Sequence, residues 1–119
     1  MVNSWETQLR KGVVELAILA WVVRGETYGY EVVERLRDLD GLALTESTVY
    51  PVLTRLARDG ALAVRLVPSA SGPPRRYYRL TPSGQARFRQ MTRAWRTLAG
   101  SIDALLADPG SRQPQEDPG

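Results

Sequence analysis

A row of large apolar residues near the C-terminal end constrains the fold of this chain more than any other feature. Spacings of three and four residues alternate along Phe88, Met91, Trp95, Leu98, Ile102 and Leu105. This is the spacing of the a and d positions of a heptad repeat, which form a stripe narrower than the face that a helix buries in a globular core. The stripe, called the seam below, predicts one long helix over residues 82–107 that packs against a partner helix. Thr81 and Pro82 predict where that helix begins, as its N-cap and its first helical residue.

The first predicted helix runs from about Ser4 to Val23. Residues 16–23 are apolar nearly all round, which predicts that this helix is the buried centre of the fold. Gly12 is a poor helix former and predicts that the helix is weakened or broken there, with a short leading turn before it and the main helix from about Val13.

Two shorter helices are predicted next, over residues 28–39 and from about residues 45–48 to Asp59. The hydroxyl side chains between Thr45 and Thr48 are candidate N-caps for the second of them. If Ser47 is the cap, Pro51 falls at the end of the first turn, where a proline removes only one backbone hydrogen bond.

The period of the apolar residues then changes from helical to two. Alternation over residues 62–67 and 76–80 predicts two strands, each with its apolar side chains on one face. Residues 68–74 between them are rich in Pro, Ser and Gly, so the pair predicts a hairpin with an exposed tip.

These elements follow the order of a winged helix-turn-helix. We therefore predict an α+β fold that is mostly α, with three helices and a two-stranded wing over residues 1–81. One long C-terminal dimerisation helix follows over residues 82–107. Residues 108–119 have no apolar side chain and are predicted to be disordered.

The composition excludes several classes of function. The chain has no Cys and no His, so we expect no disulfide, no metal site, no cofactor and no histidine base. A Gly-rich phosphate loop and a cluster of other catalytic side chains are also missing from the sequence, which predicts that the chain is not an enzyme and has no catalytic residues. The polar N-terminal segment is no secretion signal, and the apolar stretch 16–23 is too short to span a bilayer. This favours a cytoplasmic protein with no membrane partner.

Charge is distributed unevenly along the chain. Residues 1–60 carry nine acidic and seven basic side chains, whereas residues 61–119 carry four acidic and nine basic ones. Eight arginines and no acidic residue lie between Asp59 and Asp103. A field of one sign suits a polyanionic partner, because neutralised phosphates release their counterions. A solvated basic face explains the same charge run equally well.

The predicted fold indicates which residues would meet such a partner. In a winged helix-turn-helix the start of the third helix enters the major groove of DNA, and the wing reaches toward the backbone. The polar side chains at these two places are Glu46, Ser47, Thr48, Tyr50, Ser69, Ser71, Arg75 and Arg76. The predicted partner is therefore double-stranded DNA; the alternative is a winged-helix module that binds another protein and no DNA.

Four segments of the chain, taken together, resemble the PadR family of bacterial transcriptional regulators. They are residues 12–19, residues 28–32, residues 46–53 followed by Arg55 and Leu56, and residues 72–81 followed by Gly84. The resemblance covers roughly residues 10–107. It departs from the family at Ser47 and Val49, where the family more often has Gly and Leu.

The resemblance implies a regulator that binds an operator through Thr48 and Tyr50. The alternative is that Thr48 only caps the third helix and Tyr50 only packs. Pro51 and Arg55 belong to the same segment and are included in the predicted DNA-binding set. Lys11 is a further candidate for a contact to the DNA backbone from the first helix.

The seam has two interpretations at Trp95. It is either part of a dimer core or a residue that also contacts a ligand, because drug-binding relatives stack planar aromatic ligands on a Trp of this helix. Met91 and Trp5 are the expected neighbours of such a ligand. The predicted effector and dimer residues are Trp5, Phe88, Met91, Trp95, Leu98, Ile102 and Leu105. The resemblance thus implies a homodimeric repressor on a pseudo-palindromic operator, with a planar aromatic small molecule as its effector.

Overall fold

The computed structural model describes residues 4–42, 44–107 and 110. Its elements, in chain order, are α1 (Ser4–Val22), β1 (Thr27–Tyr28), α2 (Gly29–Arg37), α3 (Glu46–Arg58), β2 (Leu62–Ser69), β3 (Gly72–Leu80) and α4 (Pro82–Ala107). The predicted fold class is confirmed, with three helices, a wing and one long last helix. Apart from Gly110, the tail over residues 108–119 for which disorder was predicted lies outside the described residues.

The prediction that Gly12 breaks the first helix is wrong, because α1 is continuous from Ser4 to Val22. Gly12 lies on the exposed side with open space around it. A glycine inside a helix costs only about 1 kcal/mol relative to alanine. Ile18 and Leu19 on the same helix are fully buried, and burying one such side chain contributes roughly 1.5–3 kcal/mol. Tertiary packing therefore outweighs the local preference at Gly12.

The core forms where α1, α2 and α3 meet the base of the sheet. Its largest fully buried side chains are Ile18, Leu19, Val22, Val32, Val33, Leu36, Val49, Leu53 and Leu56. Each helix contributes residues spaced three or four apart, so one face of each is buried and the opposite face stays exposed.

The sheet has one strand more than predicted. Its order is β1-β3-β2, and β1 consists of Thr27 and Tyr28, which pair with Tyr78 and Tyr77 of β3. Thr27 is buried, and its hydroxyl accepts from Trp21 Nε1 at 3.2 Å. Two residues are too few to show the alternation of apolar and polar side chains that predicts a strand. β1 is a strand because it pairs with β3.

The wing strands are longer than predicted, and the predicted loop over residues 68–74 is wrong. β2 and β3 pair as far as Ser69 and Gly72, which leaves only Ala70 and Ser71 at the tip. The prolines of β3 are tolerated because β1 pairs only with Tyr77 and Tyr78, so this part of β3 has a free edge. The hairpin extends beyond the helices, and Leu66 is accordingly 60% exposed.

The N-cap of α3 is Thr45, so the interpretation in which Ser47 caps this helix is wrong. The Thr45 hydroxyl lies 2.9 Å from the Ser47 hydroxyl. Pro51 consequently lies inside the helix rather than in its first turn, where it removes the hydrogen bond to the Ser47 carbonyl. Ser47 and Pro51 are both exposed residues.

Two local motifs seat α4 on the fold. Gly60, at φ +81°, ends α3 in a Schellman motif, in which Gly60 N–H donates to Ala57 and Ala61 N–H donates to Leu56. The Thr81 hydroxyl caps α4, accepting from Gly84 N–H at 3.0 Å and donating to the Gly60 carbonyl at 2.6 Å. The predicted cap at Thr81 is therefore confirmed.

Candidate nucleic-acid interface

The N-terminal half of α3 presents one polar face to solvent. Ser47, Thr48, Tyr50 and Pro51 are exposed, whereas Val49 is fully buried. The helical period produces this separation, because only every third or fourth residue can face the core. Four of the predicted DNA-binding residues thus lie together on one surface.

Tyr50 is both packed and accessible. A Cβ atom on Gly29 would lie 2.9 Å from Tyr50 Cε1, so the glycine leaves room for the phenol ring against the start of α2. Partial burial, together with the negative charge of Glu46, raises the pKa of the Tyr50 phenol above its ordinary value. The phenol hydroxyl can donate a hydrogen bond.

A groove of about 680 Å³ separates α3 from the wing. The side chains that define it are Tyr28, Tyr30, Tyr50, Tyr78, Arg75 and Arg76. Among the described residues no carboxylate lines this groove. Its chemistry is cationic and aromatic, which suits an anion that also presents flat or apolar surface.

The two wing arginines lie on opposite faces of the sheet. Their side chains alternate because they are consecutive residues of β3. Arg76 is paired with Leu66 in the register of the hairpin, and the guanidinium carbon of Arg75 lies 5.0 Å from the ring centroid of Tyr28. Ser71 is exposed at the tip of the hairpin. Both arginines nevertheless line the groove, whereas Ser71 lies farther out along the wing.

Lys11 lies on the other side of the α3 N-terminus. It lines a small cleft with Arg10, Thr45 and Thr48. Arg10 donates to the Gly41 carbonyl at 3.3 Å, whereas Lys11 is exposed. The exposed face of α3 is therefore flanked by basic side chains from both α1 and the wing.

Arg55 is placed apart from the other predicted DNA-binding residues. Its Nη2 atom lies 3.2 Å from Glu15 Oε1. The same carboxylate lies 3.6 Å from Arg87, and Arg87 lies 3.7 Å from Asp59. This network joins α1, α3 and α4, which gives Arg55 a structural partner at the far end of α3.

The seam divides into two parts. Phe88 and Met91 are half-buried and pack against the core of their own chain. The other four members are exposed, with exposed fractions of 47% for Trp95, 64% for Leu98, 52% for Ile102 and 72% for Leu105. Trp5, the expected neighbour of Trp95, is exposed as well. Only the C-terminal part of the seam is free for a partner.

Sequence reasoning missed several residues of these surfaces. Tyr30 and Gly29 belong to the groove, but neither is in the predicted DNA-binding set. Leu9 and Leu106 are large, apolar and exposed, and lie outside the seam. Their helical positions beside Trp5 and Leu105 are the signal that could have identified them.

Comparison with known proteins identifies the family. Residues 18–90 match the family described as the transcriptional regulator PadR-like family. This chain belongs to the PadR-like family. The predicted resemblance is confirmed, and the matched range includes all of α2, α3 and the wing.

Several transcriptional regulators are similar to this chain over most of their length. A transcriptional regulator of Mycobacterium tuberculosis is 33% identical over 97 residues, which are 80% of this chain and 87% of the relative. A PadR family transcriptional regulator of Eggerthella lenta has a TM-score of 0.77 at 32% identity, and the match covers 88% of this chain and 91% of that protein. A PadR-like transcriptional regulator of Bacillus cereus has a TM-score of 0.73 at 30% identity, over 83% of this chain and 96% of its own. The chain is thus a transcriptional regulator of the PadR-like family.

Within the described part of this PadR-like chain, no helix is long and apolar enough to cross a membrane.

Proposed function

We propose that this chain is a sequence-specific DNA-binding repressor, which acts in the cytoplasm as a homodimer on a pseudo-palindromic operator. The observation that carries the proposal is the exposed α3 face of Ser47, Thr48 and Tyr50. Basic side chains flank this face on both sides, with Lys11 on α1 and the wing arginines across the groove. A helix presented in this way fits the major groove, and the flanking cations fit the phosphates on either side.

The residues of this surface have different roles in the proposal. Ser47 and Thr48 lie at the start of α3, where a recognition helix reaches base edges, so they contribute to sequence preference. Arg75, Arg76 and Lys11 neutralise phosphates, which gives affinity for any duplex and makes it dependent on salt.

The exposed part of the seam supports a homodimer. Trp95, Leu98, Ile102 and Leu105 form an apolar stripe that a single chain leaves in water. Burying one such side chain contributes roughly 1.5–3 kcal/mol, and a second copy offers an identical stripe across a two-fold axis. A dimer of this kind places two α3 helices on half-sites about 34 Å apart, which is one turn of DNA.

We propose further that a planar aromatic small molecule is the effector, held by Trp95 and its copy. An exposed indole at the two-fold axis meets its own counterpart, and two such rings can stack on a flat ligand. Met91 and Trp5 are the proposed neighbours. The effector relieves repression only if it binds the DNA-competent and incompetent dimers with different affinity.

DNA binding is tested by fluorescence anisotropy of the full chain. Two labelled duplexes are compared, one from the region upstream of its own gene and one of mixed sequence. We expect tighter binding to the upstream duplex. Thr48→Ala should reduce this preference, whereas Arg76→Ala should weaken binding to both duplexes and reduce the salt slope by about one.

Arg58→Ala is the matched control for loss of a positive charge. Arg58 is exposed in the last turn of α3, about 15 Å along the helix from Thr48, and its replacement should leave binding unchanged. Equal affinity of the wild-type chain for both duplexes would exclude sequence-specific binding. Repression itself is measured with a reporter gene placed behind the promoter of the gene that encodes this chain. Deletion of that gene should raise expression of the reporter.

The dimer is tested by analytical ultracentrifugation. Leu98→Asp should give monomers and loss of operator binding, because a carboxylate on the seam would be buried without a partner. Thr97→Asp adds the same charge one residue away from the seam, on an exposed position, and should leave the dimer intact. The proposed interface would be refuted if the wild-type chain sediments as a monomer, or if Leu98→Asp and Thr97→Asp sediment with the same mass.

The effector is tested by quenching of tryptophan fluorescence with a panel of planar aromatic compounds. Three tryptophans contribute to the emission, so the response is compared with that of Trp95→Phe. The proposal is supported by a compound that quenches the fluorescence of the wild-type chain, leaves that of Trp95→Phe unchanged, and releases the wild-type chain from the duplex. If no compound of the panel changes the Trp95-dependent emission, Trp95 only packs the dimer.

A further inference from the structure

Two arginines flank a pair of tyrosine rings along one face of the sheet. The guanidinium carbon of Arg65 lies 5.3 Å from the ring centroid of Tyr77. The centroids of Tyr77 and Tyr28 are 5.7 Å apart, with their planes tilted by 51°. The guanidinium carbon of Arg75 lies 5.0 Å from the Tyr28 centroid. These four residues, called the Arg–Tyr ladder below, join all three strands.

The pairing of the strands explains why the ladder forms. Tyr77 of β3 is directly opposite both Arg65 of β2 and Tyr28 of β1. Side chains in directly opposed positions lie on the same face and within contact distance. Arg75 is two residues before Tyr77 on β3 and so shares its face.

The two arginines of the ladder differ in their acidic partners. Arg65 donates to both carboxylate oxygens of Glu26, from Nε at 3.2 Å and from Nη2 at 2.5 Å. These hydrogen bonds hold the pKa of Glu26 below its ordinary value. In the part of the chain that the structure describes, no carboxylate pairs with Arg75. The ladder therefore begins at a compensated ion pair and ends at an uncompensated guanidinium beside the groove.

The contact with Tyr28 leaves the hydrogen-bonding capacity of Arg75 intact. A guanidinium is planar, and its N–H groups point outward in that plane. The guanidinium carbon lies over the Tyr28 ring, and within the described part of the chain none of these N–H groups donates a hydrogen bond, so they stay available for a bidentate contact to a phosphate. A side chain that is already held also loses less conformational freedom when it binds.

We infer that Tyr28 is a positioning residue, which holds Arg75 in the orientation that binds a DNA phosphate. The inference rests on the proposed function, because it concerns how the wing contacts the duplex. It also gives the two wing arginines different environments. Arg75 is held by the ladder, whereas Arg76 lies on the other face of the sheet, opposite Leu66. Loss of the Tyr28 ring should weaken binding about three- to tenfold, and only through Arg75.

A double-mutant cycle tests this coupling. Anisotropy with a short mixed-sequence duplex is measured for Tyr28→Leu, Arg75→Ala and the double variant. We expect Tyr28→Leu to weaken binding in the wild-type background and to have no further effect once Arg75 is alanine. In the matched cycle with Arg76→Ala the two losses should multiply. Tyr28→Phe keeps the ring and should bind like the wild-type chain.

Each outcome decides for or against the inference. If Tyr28→Leu multiplies with Arg75→Ala as it does with Arg76→Ala, Tyr28 acts through the fold and the inference is wrong. Circular dichroism identifies a Tyr28→Leu variant that has unfolded. NMR of the wild-type chain then decides, since the Arg75 Hδ protons should be shifted upfield by the Tyr28 ring and those of Arg76 should not. The same spectrum tests the ladder if the wild-type chain binds no duplex, a result that would refute the proposed function instead.

Discussion

Replacing Gly84 with alanine tests how α4 is seated on the rest of the fold. A Cβ atom at this position would lie 2.0 Å from the carbonyl oxygen of Ala61 and 2.9 Å from its carbonyl carbon. Both are backbone atoms, so the clash cannot be relieved by rotating a side chain. An ordinary carbon–oxygen contact is about 3.3 Å or longer, which requires α4 to move away by more than about 1 Å.

The magnitude follows from what this movement disrupts. The Ala61 carbonyl accepts from the Thr81 N–H and from the Thr81 hydroxyl, both at 3.1 Å. The Thr81 hydroxyl has a single proton and also donates to the Gly60 carbonyl at 2.6 Å, so the movement removes one full hydrogen bond, worth about 0.5–1.5 kcal/mol, and overpacking costs about 1–3 kcal/mol. The better helix propensity of alanine recovers at most about 1 kcal/mol. The expected loss in the free energy of unfolding is therefore about 2–3 kcal/mol, or a fall in Tm of roughly 10 °C.

Thermal unfolding by circular dichroism at a fixed chain concentration measures this change. Gly12→Ala is the matched control, because Gly12 is also inside a helix but a Cβ atom there meets nothing within 4 Å. It should be neutral or raise the free energy of unfolding by up to about 1 kcal/mol. Similar Tm values for the two variants would refute the argument from the close approach at Ala61.

Three further predictions concern single contacts. Thr81→Ala removes the cap of α4 and should lower the free energy of unfolding by about 1–2 kcal/mol in urea titrations, while Thr81→Ser should recover most of it. Gly29→Ala displaces the Tyr50 ring, which would lie 2.9 Å from the new Cβ atom, and should weaken duplex binding by roughly three- to tenfold in anisotropy, about 0.7–1.4 kcal/mol, with a small change in Tm. The pKa of Glu26 is lowered by the hydrogen bond from Arg65, so its contribution to stability is present near neutral pH and is lost as the pH falls below about 5. Tm should then fall more steeply below pH 5 in the wild-type chain than in Arg65→Gln, and parallel curves would contradict this.

Features that depend on a few neighbouring residues were predictable from the sequence. Thr81 and Pro82 predict the start of α4, and the helix begins there because the cap needs only the hydroxyl and the next three residues. The exposed face of α3 follows from the helical period in the same way. The failure at Gly12 shows the limit of such reasoning, because the preference of one residue is small beside the burial of Ile18 and Leu19.

Features that join distant parts of the chain needed the structure. Arg55 meets Glu15 forty positions away, and no local pattern in the sequence links the two. The groove and the Arg–Tyr ladder likewise depend on the pairing of β1 with β3, a contact made by only two residues of β1.

The seam contains both kinds of information. Its heptad spacing depends only on the order of residues, and it predicted one long helix with an apolar stripe. The tertiary structure decides which residues of the stripe are free. Gly84 lies close to Ala61, and this places Phe88 and Met91 against the core. The seam is exposed from Trp95 onward. Spacing along a helix shows which side chains share a face, but burial depends on what packs against that face, and here that is chain from elsewhere in the fold.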